Sequence, residues 1–136
     1  MVHVNLMAVL VAAIAVFVLG WLWYSPLLFY KPMLRARGKD PAVEMAGGEI
    51  PAGKLVIEFV RGFFLAYIIA HFATALGITT WMMAVHFGLL LWIGFPVIIL
   101  IGSVMWENIP VKVAAIHAGD WLVKMLVISL VVSLWR

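Results

Sequence analysis

Three ionisable side chains lie close together in a stretch of sequence that is otherwise apolar: His117, Asp120 and Lys124. If the stretch is a helix, their spacing of three and four residues places them on one narrow face. An aspartate four residues before a lysine is the favourable order for an ion pair. An ionisable group inside hydrocarbon costs at least ~2.5 kcal/mol, so each needs a partner or a use. Such a face could contact an anionic solute or relay protons.

A second pair of charges, Glu58 and Arg61, stands three residues apart near the start of another apolar stretch. At ~1.5 Å per residue, Arg61 comes to nearly the same depth as Asp120. One cluster of balanced charge is therefore predicted, and its members are the candidate substrate-binding or ion-binding residues: Lys124, Asp120, His117, Arg61 and Glu58. Lys124 favours a function most, because it lies near the bilayer midplane and cannot easily extend to water. The alternative is that these charges only hold two helices in register.

Two further histidines stand symmetrically about a predicted tight turn. His71 lies six residues before Gly77, and His86 lies six residues after Thr80. On adjacent antiparallel helices the two imidazoles would approach each other at one depth, which makes them weak candidates for a metal or haem site. Hydrogen bonding to the backbone or to a threonine such as Thr74 is the other interpretation. No cofactor is predicted.

The elements that carry these residues are four apolar stretches long enough to cross a bilayer. Of the 136 residues, 67% are hydrophobic and only 11% are charged, against roughly 25% charged in soluble domains. The predicted spans are residues 6–24, 55–76, 81–105 and 111–135, each near the ~20 residues that a bilayer requires. The predicted fold class is all-α: a polytopic membrane protein with four transmembrane helices in a single domain, residues 1–136.

Local signals in the sequence predict one short helix and one bend. In the polar segment 27–54, Asp40-Pro41 and Gly47-Gly48 bound a short amphipathic helix, because they are typical of a helix start and a helix stop. Gly94-Phe95-Pro96 predicts a kink past the middle of the third span.

Aromatic and apolar residues predict which surfaces face lipid. The end of the first span is typical of an aromatic belt at the membrane interface, with Trp21, Trp23 and Tyr24. On the fourth span the face opposite Lys124 is apolar and suited to lipid, and it includes Val123, Met125, Leu126 and Leu130.

Lysine and arginine are concentrated on one side of the predicted bundle. The loops of that side carry Lys31, Arg35, Arg37, Lys39, Lys54 and Lys112, whereas the other side carries only Arg136. By the positive-inside rule these loops are cytoplasmic and both termini are extracytoplasmic. The expected partner is the lipid bilayer and not nucleic acid, because the basic residues lie between apolar spans and form a topology signal. The chain has no cysteine, which excludes disulfides and thiolate chemistry.

Three motifs carry a resemblance to a known family. They are Trp23-Tyr24-Ser25-Pro26-Leu27-Leu28-Phe29 followed by Lys31, Trp92-Ile93-Gly94-Phe95, and Trp106-Glu107-Asn108-Ile109-Pro110. Together they resemble the small bacterial four-helix membrane proteins catalogued as domain of unknown function 1761. The resemblance covers nearly the whole chain and implies a location in the bacterial cytoplasmic (inner) membrane. It implies no reaction and no functional residue.

Three hypotheses of function remain. The first is a small transport or permeation protein for an ion or a small anionic solute, acting as a homo-oligomer because four helices alone rarely enclose a pathway. The second is a non-catalytic membrane binding or accessory subunit whose charge cluster is structural. A membrane enzyme is least favoured, since the sequence lacks the H-E-x-x-H, G-x-S-x-G and P-loop motifs.

Overall fold

The computed structural model describes residues 2–45 and 50–135, and within these ranges every regular element is a helix. In chain order the α-helices are α1 (Leu6–Trp23), α2 (Tyr30–Ala36), α3 (Pro41–Met45), α4 (Ala52–Ala75), α5 (Trp81–Trp92), α6 (Ile98–Trp106) and α7 (Val111–Leu134). Four segments are long and apolar enough to span a membrane: α1, α4, α5 together with α6, and α7. The predicted all-α class with four spans is confirmed.

The long helices begin and end at residues that local chemistry favours. The side chain of Asn5 caps α1 by accepting the backbone N–H groups of Met7 and Ala8, at 3.0 and 3.2 Å. Pro51 directly precedes α4, so this helix begins three residues before the predicted residue 55. Proline is tolerated there because the backbone N–H groups at a helix start have no acceptor within the helix, so the missing N–H costs no hydrogen bond. Gly77 ends α4 with a φ of +70°, as a left-handed glycine at a helix end does.

The polar segment between the first two spans contains two short helices. The predicted helix is found as α3, and the carboxylate of Asp40 accepts the N–H of Ala42 at 3.0 Å. Its predicted stop at Gly47-Gly48 lies outside the described residues. The second helix, α2, was not predicted from sequence. It packs against α7 and buries Leu34, while its proline, Pro32, stands in the first turn, where the missing N–H is tolerated.

The third span is interrupted where the sequence predicts a kink. A π-helical turn, Ile93–Val97, separates α5 from α6 and contains Pro96. Proline lacks the N–H of the regular ladder, and its ring collides with the turn before it, so a wider turn accommodates it. Just before this turn, the indole N–H of Trp92 donates to the carbonyl of Ala118 at 2.8 Å. The interruption is therefore attached directly to α7.

Helix α7 is central to the packing, because it contacts α1, α4 and both halves of the third span. Helices α1 and α4 also pack on each other. Apolar residues of α1, α4 and α7, most of them small or branched, form the core: Val9, Ala12, Val16, Ala66, Ile69, Ala70, Ala73, Met125, Ile128 and Val132. Helices α4 and α5, although joined by a short turn, are not among the extensively packed pairs. The expectation that they are packed neighbours is wrong.

The neighbour of α5 is instead the face of α7 that the sequence assigned to lipid. Met125 is only 5% exposed, so its predicted contact with lipid is wrong. The physical reason is Gly88 of α5. A Cβ atom at Gly88 would lie 3.0 Å from the carbonyl oxygen of Met125, which means that the absence of a side chain lets the two backbones approach closely.

Candidate functional site

The centre of the candidate site is an ion pair within α7. The ammonium nitrogen Nζ of Lys124 lies 2.9 Å from Oδ2 of Asp120, and the side chains are 13% and 5% exposed. Lys124 stands close to the middle of α7, where lipid could not solvate its charge. The ammonium also lies 4.8 Å from the ring centroid of Trp121, which is within the range of a cation–π interaction.

The second span completes the charge cluster from across the bundle. Oε1 of Glu58 lies 4.0 Å from Nζ of Lys124, and the guanidinium of Arg61 donates to the other carboxylate oxygen of Glu58. The predicted contact between the charges of the second and fourth spans is therefore present. The side chain of Arg61 is 60% exposed, so its charged end extends away from the packed core, as long basic side chains do in membranes.

The fifth candidate, His117, joins the cluster through a residue that the sequence did not single out. The hydroxyl of Tyr24 lies 2.6 Å from Nδ1 of His117 and 3.4 Å from Oδ2 of Asp120. Tyr24 stands one residue beyond the end of α1. Burial, reinforced by the charge of Asp120, raises the pKa of its phenol above the ordinary value. The phenol is thus a proton donor.

The contact between Tyr24 and His117 joins the phenol oxygen to Nδ1 of the imidazole at 2.6 Å. The phenol also lies within donating distance of Oδ2 of Asp120, at 3.4 Å. A neutral imidazole carries its proton on one of its two ring nitrogens, and the tautomer of His117 decides whether Nδ1 donates to Tyr24 or accepts from it.

Together these contacts form a continuous chain of polar groups. In order of contact it runs through His117, Tyr24, Asp120, Lys124, Glu58 and Arg61. His117 and Lys124 are seven residues apart on α7, or ~10 Å along the helix axis. This series of polar groups therefore extends from near the loop end of α7 to the middle of the bundle.

Two close approaches of α1 hold α7 in place beside these groups. The indole N–H of Trp23 donates to the carbonyl of Ile116 at 3.0 Å. Its ring lies over Gly119, where a Cβ atom would be 2.5 Å from the ring. One turn earlier on α1, a Cβ atom at Gly20 would lie 3.8 Å from Cε of Lys124. Helix α1 thus covers the ion pair with backbone and aromatic surface.

Two of the three aromatic residues predicted in an interfacial belt direct their polar atoms toward α7. Trp23 and Tyr24 were expected in an interfacial belt, but both face α7, while Trp21 alone of the three is exposed. The indole N–H and the phenol hydroxyl have hydrogen-bond partners inside the bundle. Such partners stabilise amphipathic rings there, as water does at a membrane interface. The signal that could have revealed this is Gly119, because a glycine between two candidate residues leaves room for a ring.

A cavity of about 800 Å³ gives access to the cluster. It is lined by α1, α2, α3, α4 and α7, and all five candidate residues contribute to its wall: Glu58, Arg61, His117, Asp120 and Lys124. Tyr24 and Lys54 also line it, so it reaches from the loop end of α4 to the ion pair. We call this cavity the cleft.

The two outer histidines do not form a comparable site. His71 and His86 are both exposed, and no hydrogen bond or ring contact joins them. The predicted approach between them is wrong, because α4 and α5 are not packed along each other. Among the described residues, no group of three or more histidine, aspartate or glutamate side chains could hold a metal ion.

Comparison with known proteins gives a family and no activity. The family model described as "Protein of unknown function (DUF1761)" matches residues 7–133, which include all four spans. No curated protein and no solved structure matches the chain.

Proposed function

We infer the activity of this chain from its own residues, since it belongs to the DUF1761 family, whose function is unknown. We propose that it is a small transport or permeation protein for an ion or a small anionic solute. The observation that carries this proposal is the cleft, which reaches the Asp120–Lys124 pair near the middle of α7. Ionisable groups at such a depth mark solute or ion pathways by default, because burying them is costly.

The arrangement of donors supports an anion as the solute. Arg61 contacts the carboxylate of Glu58, and Lys124 contacts those of Asp120 and Glu58. Because a guanidinium has five N–H groups and an ammonium has three, further donors are left on both. His117 also lines the cleft, and its imidazole carries an N–H donor on one ring nitrogen in the neutral form. Basic side chains on the loop side, such as Lys54 in the wall of the cleft, raise the local concentration of anions at the entrance.

The pathway beyond Lys124 is closed within one chain. The apolar core fills the rest of the bundle between α1, α4 and α7, with Val9, Ile128 and Val132 among its buried residues. In this proposal a single subunit contributes half of the pathway, the part that the cleft opens from the loop end. In the proposed function the protein acts as a homo-oligomer, whose subunits share the remaining part.

The proposed location is the bacterial inner membrane, with the loop end of the cleft in the cytoplasm. Support comes from the exposed basic residues of the loops, including Lys31, Arg35, Arg37, Lys39, Lys54 and Lys112, through the positive-inside rule. A reporter that is active only in the periplasm should be active at the carboxyl terminus and inactive when inserted in the 27–54 segment. The reverse result would contradict this orientation.

The test of transport is flux into proteoliposomes that contain the full chain. Uptake of labelled acetate and of inorganic phosphate is compared for the wild type, Lys124→Met and the double variant Asp120→Asn with Lys124→Met. Lys112→Met is the matched control, because Lys112 is an exposed lysine of the same helix outside the cleft. A transport site predicts flux in the wild type and the control, and its loss in both cluster variants.

One observation favours the accessory-subunit alternative: the charges of the cluster are already paired with one another. Asp120 is paired with Lys124, and Glu58 with Arg61. Purely structural pairs predict that the double variant folds better than the single one, because the single change leaves an uncompensated buried charge. Absence of flux in every protein, together with this recovery, would replace transport by the structural role.

A further inference from the structure

A second cavity, of about 490 Å³, adjoins the cleft and has an almost wholly apolar wall. We call it the apolar groove. The two share residues from α1, α4 and α7: Val16, Phe17, Glu58, Arg61, Trp121 and Lys124. On α4 the groove extends from Val56 to Leu65, which is ~14 Å along the helix axis. Among the described residues that line it, the charged ones are the three that it shares with the cleft.

The apolar groove opens toward the bilayer. Four of its residues on α4 are between 44% and 63% exposed: Val56, Ile57, Val60 and Phe64. They lie within a span, where an exposed side chain faces lipid. The site therefore has two entrances of different character, a polar one at the loop end and an apolar one on the side of the bundle.

We propose that the ligand of the cleft is an acidic amphiphile that enters sideways from the bilayer. This rests on the proposed function and names the class of its solute. The single apolar chain lies in the groove along Val56, Val60 and Phe64, and the carboxylate or phosphate head accepts hydrogen bonds from Arg61 and Lys124. A small hydrophilic anion would use the cleft alone and would leave the groove without a role.

The charged side chains of Arg61 and Lys124 in its wall distinguish the apolar groove from a surface depression that bulk lipid fills. Arg61 lies nine residues after Ala52, the first residue of α4, or ~14 Å from the start of the helix. The head of a bulk phospholipid stays at the interface, since moving charge to that depth is costly. The donors of Arg61 and Lys124 offset this cost for an acidic head.

The test uses the full chain in phosphatidylcholine nanodiscs and a brominated undecanoate as the probe. Bromine quenches nearby indoles, and Trp121 lines both cavities. The quenching that Trp121→Phe removes is the signal from the site, whereas the quenching that remains comes from the other tryptophans. The inference predicts that this signal saturates and that unlabelled dodecanoate reverses it, whereas acetate at the same concentration does not.

Substitutions in α4 test whether the alkyl chain of the ligand lies in the apolar groove. Val60→Phe narrows it and should weaken binding of the probe about tenfold, the scale of one lost or blocked side-chain contact. Ile68→Phe is the matched control, since Ile68 is a similarly exposed aliphatic residue of α4 outside both cavities. If Val60→Phe folds poorly in gel filtration, Val56→Phe takes its place. Arg61→Gln should also weaken binding of the probe at least tenfold, because it removes a charge-assisted contact to the acidic head.

The outcomes distinguish this inference from the proposed function. Quenching that does not saturate, or that Val60→Phe and Val56→Phe leave unchanged, overturns the amphiphile. If acetate or inorganic phosphate still crosses the liposome membrane in that case, the proposed function stands with a hydrophilic solute. Loss of both flux and saturable binding overturns both. Dodecyl phosphate as competitor decides between a phosphate and a carboxylate head.

Discussion

The two halves of the bundle treat polar groups in opposite ways. Toward the loop end, Asp120 is buried and the side chain of Lys124 is only 13% exposed, yet each has a partner from outside α7, and a cavity reaches them. Toward the other end, the interior is an apolar core, and its buried hydroxyls, those of Ser129 and Ser133, have no hydrogen-bond partner. Its remaining ionisable residues within the spans, His71 and His86, point outward.

This contrast shows that the number of polar residues in a span is a poor guide to a site. The loop-end half builds its cluster from α4, α7 and the residue that follows α1, Tyr24, which joins His117 to Asp120. In the other half, two histidines at matching depth remain separate, because their helices do not pack together. Convergence of several helices on one group is what marks the candidate site.

The largest effect is expected from Lys124→Met, which would break the loop-end half. It leaves the carboxylates of Asp120 and Glu58 without their shared cation. Removing one member of a buried ion pair typically costs ~3–5 kcal/mol of unfolding free energy. The measurement is reversible unfolding in detergent, followed by the helical signal. Adding Asp120→Asn should recover a large part of the loss.

Lys112→Met is the control for this experiment, because Lys112 is exposed and surface substitutions usually change stability by less than ~0.5 kcal/mol. If Lys124→Met were no more destabilising than Lys112→Met, the ion pair would not be a buried one, and the contrast between the two halves would fail.

The next largest effects on stability are expected from two glycine-to-alanine substitutions, one in each half of the bundle. Gly119→Ala would push a methyl group into the ring of Trp23, and Gly88→Ala would push one against the carbonyl of Met125. Overpacking of this kind costs ~1–3 kcal/mol. The control is Gly102→Ala, since nothing lies within 4 Å of a Cβ there, and it should be neutral or slightly stabilising in a helix.

The two variants should differ in what else they change. Gly119→Ala moves Trp23 beside the ion pair, so it should also reduce flux or ligand binding per folded molecule. Gly88→Ala should lower stability alone, because it lies at the packing of α5 on α7. Equal effects of both on binding would show that the halves are coupled through α7.

The sequence predicts the contacts of the loop-end half better than those of the other half, and the reasons are physical. Helical spacing on α7 and equal depth on α4 were sufficient to bring Lys124 to Glu58, because lipid cannot solvate either charge. The same reasoning failed for His71 and His86, since adjacency along the chain does not decide which helices pack. Gly88 gave α5 a closer fit to α7. Tyr24 was missed because a phenol at the end of a span is equally suited to an interface.

A smaller effect is expected from Tyr24→Phe, which sharpens the role of the phenol. The substitution removes the hydroxyl that contacts Nδ1 of His117 and donates to Asp120 at 3.4 Å. One such hydrogen bond contributes ~0.5–1.5 kcal/mol. Tyr67→Phe is the control, because Tyr67 is exposed on α4 and lines neither the cleft nor the apolar groove. Thermal unfolding of both variants measures the difference, and equal stability would remove Tyr24 from the cluster.

The smallest effect is expected from replacing both outer histidines, His71 and His86, by alanine. Each imidazole is exposed, so its removal leaves no buried cavity and no unpaired buried group, and the change should stay within ~0.5 kcal/mol per site. Because the two rings do not meet, added Zn²⁺ should raise the melting temperature of the wild type no more than that of the double variant. A metal-dependent rise seen in the wild type alone would mean that the histidines meet, within one chain or between subunits of an oligomer. In that case the half of the bundle opposite the loop end would contain a second site.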